Sequence, residues 1–357
     1  MRRVLWALLF LVAVASAGAA FPPQQQTQQP PPPPPQSQTP PPAAGQAPTT
    51  VSRVSEVDLI AAVVNHKQQF VTDLERTDFK IFEDNKEQAI KFFARQTDLP
   101  LRVGLLLDTS NSIRPRLPFE KSVATDFLYN VIRPGKDLAF LMTFDSDPEV
   151  IQGFTGDVEV LRNSIDAQKA GGGTALYDAM VKASQMLGTA PLPKDAAQEV
   201  RRVIVVVSDG DDNLSSSTRQ DSMDAAHRSG VAIYAVSTST QWITIEESKD
   251  PSHRFDRKWE KTEGDKVLEF FSTDTGGRAF FPYEQDEVAQ SFLDISTELR
   301  SQYQIGYVPF NGALDGKFHK IRVEIVGHKE LEVHSRKGYF AVPPVVISRP
   351  ASASSGN

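Results

Sequence analysis

Residues 101–112 read Leu-Arg-Val-Gly-Leu-Leu-Leu-Asp-Thr-Ser-Asn-Ser. A continuous apolar run closed by an acid, Asp108, and then by small polar residues describes a strand buried on both faces that ends in a loop. Two further runs have the same character: Leu138 to Phe144, and Val203 to Asp209, the most apolar strand in the chain. Helical spacing of apolar residues falls at 119–131, 158–168, 175–187, 219–229, 265–273 and 284–301. Shorter β-prone pieces lie at 149–154, 231–237 and 277–281. Strands alternating with helices predict an α/β domain over residues 99–301, with a doubly wound, mostly parallel sheet.

The flanks have a different texture. Residues 55–98 carry β-prone pieces at 59–64, 79–82 and 89–93, with a turn at Glu83-Asp84-Asn85. Residues 302–342 carry others at 303–308, 317–326, 331–334 and 338–342. Neither flank alone makes a comfortable β domain. Together they supply about seven strands, enough for a sandwich. The expectation is an α/β domain inserted into a small β-sandwich whose two halves meet in space.

The chain opens on Met1-Arg2-Arg3, an apolar run over 4–14 and small residues over 15–20. This describes a secretory signal peptide over residues 1–20, with an apolar core too short to span a bilayer. Residues 21–50 are rich in Pro and Gln, with six prolines at 30–35, and read as an extended tether. Residues 343–357 read as a frayed tail. The polar stretch 241–264, with Trp242 and Trp259, interrupts the α/β pattern and reads as a surface insertion. The mature protein is therefore expected outside the cytoplasm, periplasmic or extracellular, with no membrane span after cleavage.

The 357 residues carry a net charge of -7, which becomes more negative once Arg2 and Arg3 are removed. An acidic chain without a long basic run is a poor binder of nucleic acid or anionic lipid through its overall field. The absence of cysteine excludes disulfides, thiolate metal sites and a cysteine nucleophile.

Three loops leave the carboxyl ends of the predicted buried strands, each bearing oxygen donors. They are Asp108-Thr109-Ser110-Asn111-Ser112, Gly171-Gly172-Gly173-Thr174 and Ser208-Asp209-Gly210-Asp211-Asp212. Ligands of open α/β sheets bind at this edge. The hydroxyls of Ser110, Ser112 and Thr174 with the carboxylates of Asp108 and Asp209 form an all-oxygen set suited to a hard dication: Mg2+, Mn2+ or Ca2+. Two carboxylates only neutralise such an ion, so a coordination position left to water is open to an acidic side chain of a protein partner. The competing reading is that these hydroxyls merely cap helices. Asp211 and Asp212 read as a turn or cap, and Asp178 as an outer hydrogen-bond acceptor.

These residues resemble the von Willebrand factor type A (VWFA) domain. The first loop matches the D-x-S-x-S motif of its metal-ion-dependent adhesion site, and Thr174 and Asp209 match the other two loop contributions. The flanks, residues 70–84 and the Arg336-Lys337-Gly338-Tyr339-Phe340 stretch, resemble the bacterial VWFA-related family found in Acidobacteria. The resemblance implies an exported, metal-dependent protein-binding module; the alternative is a structural component of an envelope or secretion assembly with a vestigial site. One departure is Arg114-Pro115-Arg116, which delays the following helix and is placed to shift Ser112 or to set cations beside the metal. The enzyme motifs G-x-S-x-G, H-E-x-x-H and G-x-x-x-x-G-K-[ST] are absent and the six histidines are scattered, so an enzyme is not expected.

Overall fold

A computed structural model describes residues 56–95, 99–193, 199–239, 261–282, 285–310 and 315–341. The expected signal peptide, tether and tail, and most of the 241–264 insertion, lie outside these residues. No described helix is long and apolar enough to cross a membrane.

Numbered in chain order, the central sheet contains β5 (Leu101–Asp108), β6 (Leu138–Phe144), β7 (Pro148–Thr155), β8 (Arg201–Ser208), β9 (Val231–Ser237) and β10 (Ala279–Phe280). They lie in the order β10-β9-β8-β5-β6-β7, all parallel except β7, which runs antiparallel to β6. Every residue of β5 is buried because helices cover both faces. Strand alternation sends Val103, Leu105 and Leu107 to one side, against α1 (Leu117–Val131), α2 (Val158–Asp166) and α6 (Gln285–Glu298). Leu106 faces the other side, with α3 (Leu176–Gly188), α4 (Arg219–Ser229) and α5 (Glu263–Thr275). Gly104 leaves room there for the Phe140 ring, which a Cβ would meet at 2.5 Å. This is the doubly wound α/β fold expected from the sequence.

The flanks interleave into two four-stranded sheets. One is ordered β13 (Glu332–Ser335), β1 (Val57–Val64), β11 (Tyr303–Tyr307), β4 (Ile90–Arg95). The other is β14 (Gly338–Phe340), β12 (Phe318–Ile325), β2 (Phe79–Glu83), β3 (Lys86–Gln88). Leu59, Ile81, Tyr303, Tyr307 and Ile321 fill the space between them. Each sheet pairs strands from both flanks, so neither half has a core alone. Strand β3 was not foreseen, because Lys86-Glu87-Gln88 has no apolar alternation. Asp84 and Asn85 at φ 48° and 66° form the two-residue turn that folds it onto β2.

The chain enters the α/β domain before Leu101 and leaves it after α6, and one buried carboxylate ties both points together. Asp137 Oδ1 accepts from Leu101 N–H (2.7 Å) and Arg133 Nη2 (3.0 Å). Its Oδ2 accepts from Arg133 Nε (2.7 Å) and N–H (3.0 Å), and from Arg300 Nη2 (2.9 Å). Burial by itself would raise its pKa; the bonds from Arg133 and Leu101, with the charge of Arg300, outweigh it and hold the carboxyl below its usual 3.8. A carboxyl depressed in the folded state stabilises above its unfolded pKa and loses that contribution as pH falls below it. Asp137→Asn is therefore expected to cost about 3 kcal/mol near neutral pH, with the gap to wild type closing below about pH 4. Urea unfolding across that range checks it; a gap that stays constant down to about pH 2 defeats the assignment.

Candidate metal centre

Strands β5 and β8 are parallel neighbours and end at the same sheet edge. After β5 the chain runs outward through β6 and β7, then crosses back to β8 and β9 on the other side. The reversal opens a crevice between the loops after β5 and β8, the usual ligand position of such sheets.

Asp108 is fully buried there. Its Oδ1 accepts the Ser110 N–H at 2.8 Å and its Oδ2 accepts the Ser208 hydroxyl at 2.7 Å. Ser110 Oγ lies 3.0 Å from Ser112 Oγ, and Ser112 Oγ donates to Asp209 Oδ2 at 3.1 Å. The glycine loop is laced to the first by Gly171 N–H on Thr109 O (2.8 Å) and Asn111 N–H on Gly172 O (3.3 Å). Thr174, also buried, is fixed to the third loop: its N–H donates to Asn213 Oδ1 (3.0 Å), and its carbonyl accepts from Asn213 and Leu214 N–H. The structure thus brings Asp108, Ser110, Ser112 and Asp209 into one chain of hydrogen bonds, while Thr174 is tied to the same loops through its backbone.

The donor set suits a small hard cation. An octahedron of oxygens about 2.1 Å from Mg2+ has edges of about 3.0 Å, the spacing along Ser110, Ser112 and Asp209. Burial, with the charge of Asp209 added and the Ser110 and Ser208 hydrogen bonds opposing, pushes Asp108 up to about 6. The cost of two neighbouring carboxylates in this crevice is what a dication relieves.

The Arg114-Pro115-Arg116 departure does set cations at the site. A 3-10 turn at Asn111–Ile113 precedes α1, which begins only at Leu117. Arg116 is buried, with Nη1 donating to Thr238 O and Nη2 3.9 Å from Asp209 Oδ2. One turn into α1, Glu120 is buried with neither carboxylate oxygen hydrogen-bonded among the described residues. Burial pushes it up to about 8; Arg116 opposes the shift, and Asp108 and Asp209 add to it.

Asp212 does act as a cap: its Oδ2 accepts the Tyr177 N–H in the first turn of α3 at 3.0 Å. Asp178 accepts Ser216 and Ser217 N–H, at 2.8 Å each, and so holds the third loop to α3. Sequence reasoning missed Ser208, Asn213 and Glu120. Ser208 had a signal, since the register Leu107↔Val207 places it beside Asp108. Gly210 has φ +80°, and its Cβ would meet the Gly264 backbone at 2.3 Å, so glycine there lets the start of α5 approach the third loop.

A second group, Glu83, Asp84 and His319, brings ligand atoms within 4.8 Å of one another in the sandwich. It is satisfied without an ion. His319 Nδ1 is 2.9 Å from Asp84 and Nε2 3.1 Å from Asp315, while Glu83 Oε2 accepts the Tyr307 and Tyr339 hydroxyls. Burial lowers the His319 pKa, and the Asp315 and Asp84 bonds outweigh it, leaving the imidazole raised and suited to donate to both.

Residues 103–211, which include all five candidate ligands, match the von Willebrand factor type A domain family. The chain carries a von Willebrand factor type A domain. No curated protein sequence matches the chain significantly. Among solved structures, the conserved hypothetical protein BatB from Bacteroides thetaiotaomicron is 16% identical, over 55% of this chain and 99% of its own, with a TM-score of 0.39. The vWF domain of the type V pili tip protein Mfa5 from Porphyromonas gingivalis is 12% identical over 57% and 96%, TM-score 0.42. Proximal thread matrix protein 1 from the mussel byssus, with a zinc-occupied MIDAS motif, is 15% identical over 59% and 47%, TM-score 0.41.

Within this VWFA domain, Glu120 offers a direct test of the site's electrostatics. A carboxyl whose folded pKa is raised contributes stability below its unfolded pKa and loses it as pH rises through the folded value, so stability should fall from about pH 4.5 to about 8. In chelator, Glu120→Gln is expected to melt higher than wild type at pH 8, by on the order of 2 kcal/mol, and to match it near pH 5. Parallel melting profiles over this range contradict the assignment.

Proposed function

We propose that this chain is an exported, metal-dependent protein-binding module whose VWFA domain recognises an acidic group of a partner. The observation that carries the reading is the run of Ser110, Ser112 and Asp209 oxygens at cation-shell spacing, with Asp108 fixed beneath it. Asp108, Ser110, Ser112, Thr174 and Asp209 would hold the ion. A bound dication supplies a coordination position that takes up a carboxylate oxygen of a protein partner. The all-oxygen donor set suits Mg2+, Mn2+ or Ca2+.

The chain's own residues supply rigidity and charge balance. Ser208 and the Ser110 N–H orient Asp108, so it faces the site without rotamer freedom. The Gly171 and Asn111 backbone bonds hold the glycine loop at a fixed distance from the first. We read the site as binding rather than catalytic. Export rests on the character of residues 1–20.

The test is Asp108→Ala. Calorimetry should show loss of Mg2+ and Mn2+ binding, and capture of envelope proteins should change from chelator-sensitive to absent. The fold should survive, weakened by about 1–2 kcal/mol for the stranded Ser208 hydroxyl and Ser110 N–H. A mutant that melts like wild type and captures the same partner in chelator removes the metal from recognition.

A further inference from the structure

The candidate metal site is one wall of a larger cavity. A recess of about 850 Å³ is lined by Ser112 and Asp209 from the oxygen chain and, beyond them, by Arg114, Arg116, Asp211 and Ser239. Pockets of this size hold ligands far larger than one carboxylate group. A partner whose acid reaches Ser112 and Asp209 therefore places neighbouring residues inside the recess.

Its two arginines are not equivalent. Arg116 is buried, bonded to Thr238 O and set against Asp209, so it serves the loop itself. Arg114 is exposed, and its bonds to described residues run through Nη2 alone, to Asn111 Oδ1 (2.8 Å) and Ala170 O (3.2 Å). Those bonds aim the guanidinium and leave the Nε and Nη1 hydrogens for a charge-assisted contact with an acid.

We infer that the partner's recognition segment carries two acids: one engages the metal site, and the second pairs with Arg114 in the adjoining recess. The ligand class is a diacidic peptide. Asp211 on the same lining gives the recess a sign pattern, repelling a second acid that approaches away from Arg114. The inference rests on the metal-dependent reading above and adds the second contact to it.

The experiment uses the full chain and fluorescent peptides built on glycine, with one glutamate or with two glutamates one to three residues apart. Anisotropy gives their affinities in Mg2+ and in chelator, and calorimetry gives Mg2+ affinity separately. Wild type should bind the best two-glutamate peptide about fivefold to tenfold more tightly than the one-glutamate peptide. Arg114→Gln should reduce that ratio to about one, with both affinities read at saturating Mg2+ as the variant's own calorimetry defines it; Arg114→Lys should retain part of the ratio. A ratio that persists in Arg114→Gln, or a wild type that treats the peptides alike or binds neither while Mg2+ still binds, overturns the two-point site and leaves the metal site standing. Absence of Mg2+ binding in calorimetry, or peptide binding indifferent to chelator, overturns both.

Discussion

A carboxylate with no access to water, Asp108, sets the terms for the sheet edge that holds the candidate metal centre. Removing an ionised group from solvent is costly unless donors replace the lost hydration. Here the replacements are two neutral donors, the Ser110 N–H and the Ser208 hydroxyl. The first fixes the turn after β5; the second requires β8 to lie beside β5 in the register that brings Ser208 level with Asp108. Once that register is set, Asp209 follows into the crevice, within reach of Ser112. The geometry of the loops after β5 and β8 thus depends on the solvation of one side chain.

The opposite end of β5 shows what a structural carboxylate looks like in the same protein. Asp137 is also fully buried, yet it receives two arginines and two backbone N–H groups, and its pKa is lowered. Asp108 has neutral donors and an acidic neighbour, and its pKa is raised. Both acids abut the same strand, so strand burial alone does not explain the difference. What differs is the supply of positive charge, complete within the protein at Asp137 and short at Asp108. The cap reading of Ser110 and Ser112 gives no reason for that shortage: neither hydroxyl is engaged with a helix N–H, and both lie in the chain leading to Asp209.

The fold was legible where burial leaves a periodic trace. The runs at β5, β6 and β8 are apolar on both faces through their middles because helices cover both sides, and α4 and β9 match their expected ranges. The flanks were legible by complementarity, since neither had strands enough for a sheet. Their interleaving was not, because strand order depends on side-chain fit between residues more than two hundred positions apart, such as Val57 and Tyr307. At the site, the residues carrying donors stood out as a motif. The residues that organise those donors did not: Asn213 looks like any loop residue until it meets Thr174, and Glu120 looks like the polar face of α1 until burial removes its water.

The insertion architecture follows from the direction of β5. The strand starts beside Asp137, where the chain crosses between sandwich and sheet, and ends at Asp108, so both crossings lie at the edge remote from the recognition loops. Helix α5 repeats the polarity. Its first turn packs on Gly210 at the site, and its last residues meet the sandwich through the Thr275 bridge to Arg336 and the Lys337 N–H on Asp274 O. The oxygen-bearing loops thus lie at one edge of the sheet, while the sandwich buttresses the other. A sheet buried on both faces and anchored at its far edge by a fully paired carboxylate gives those loops a rigid base, so their geometry is set by their own hydrogen bonds and not by the core.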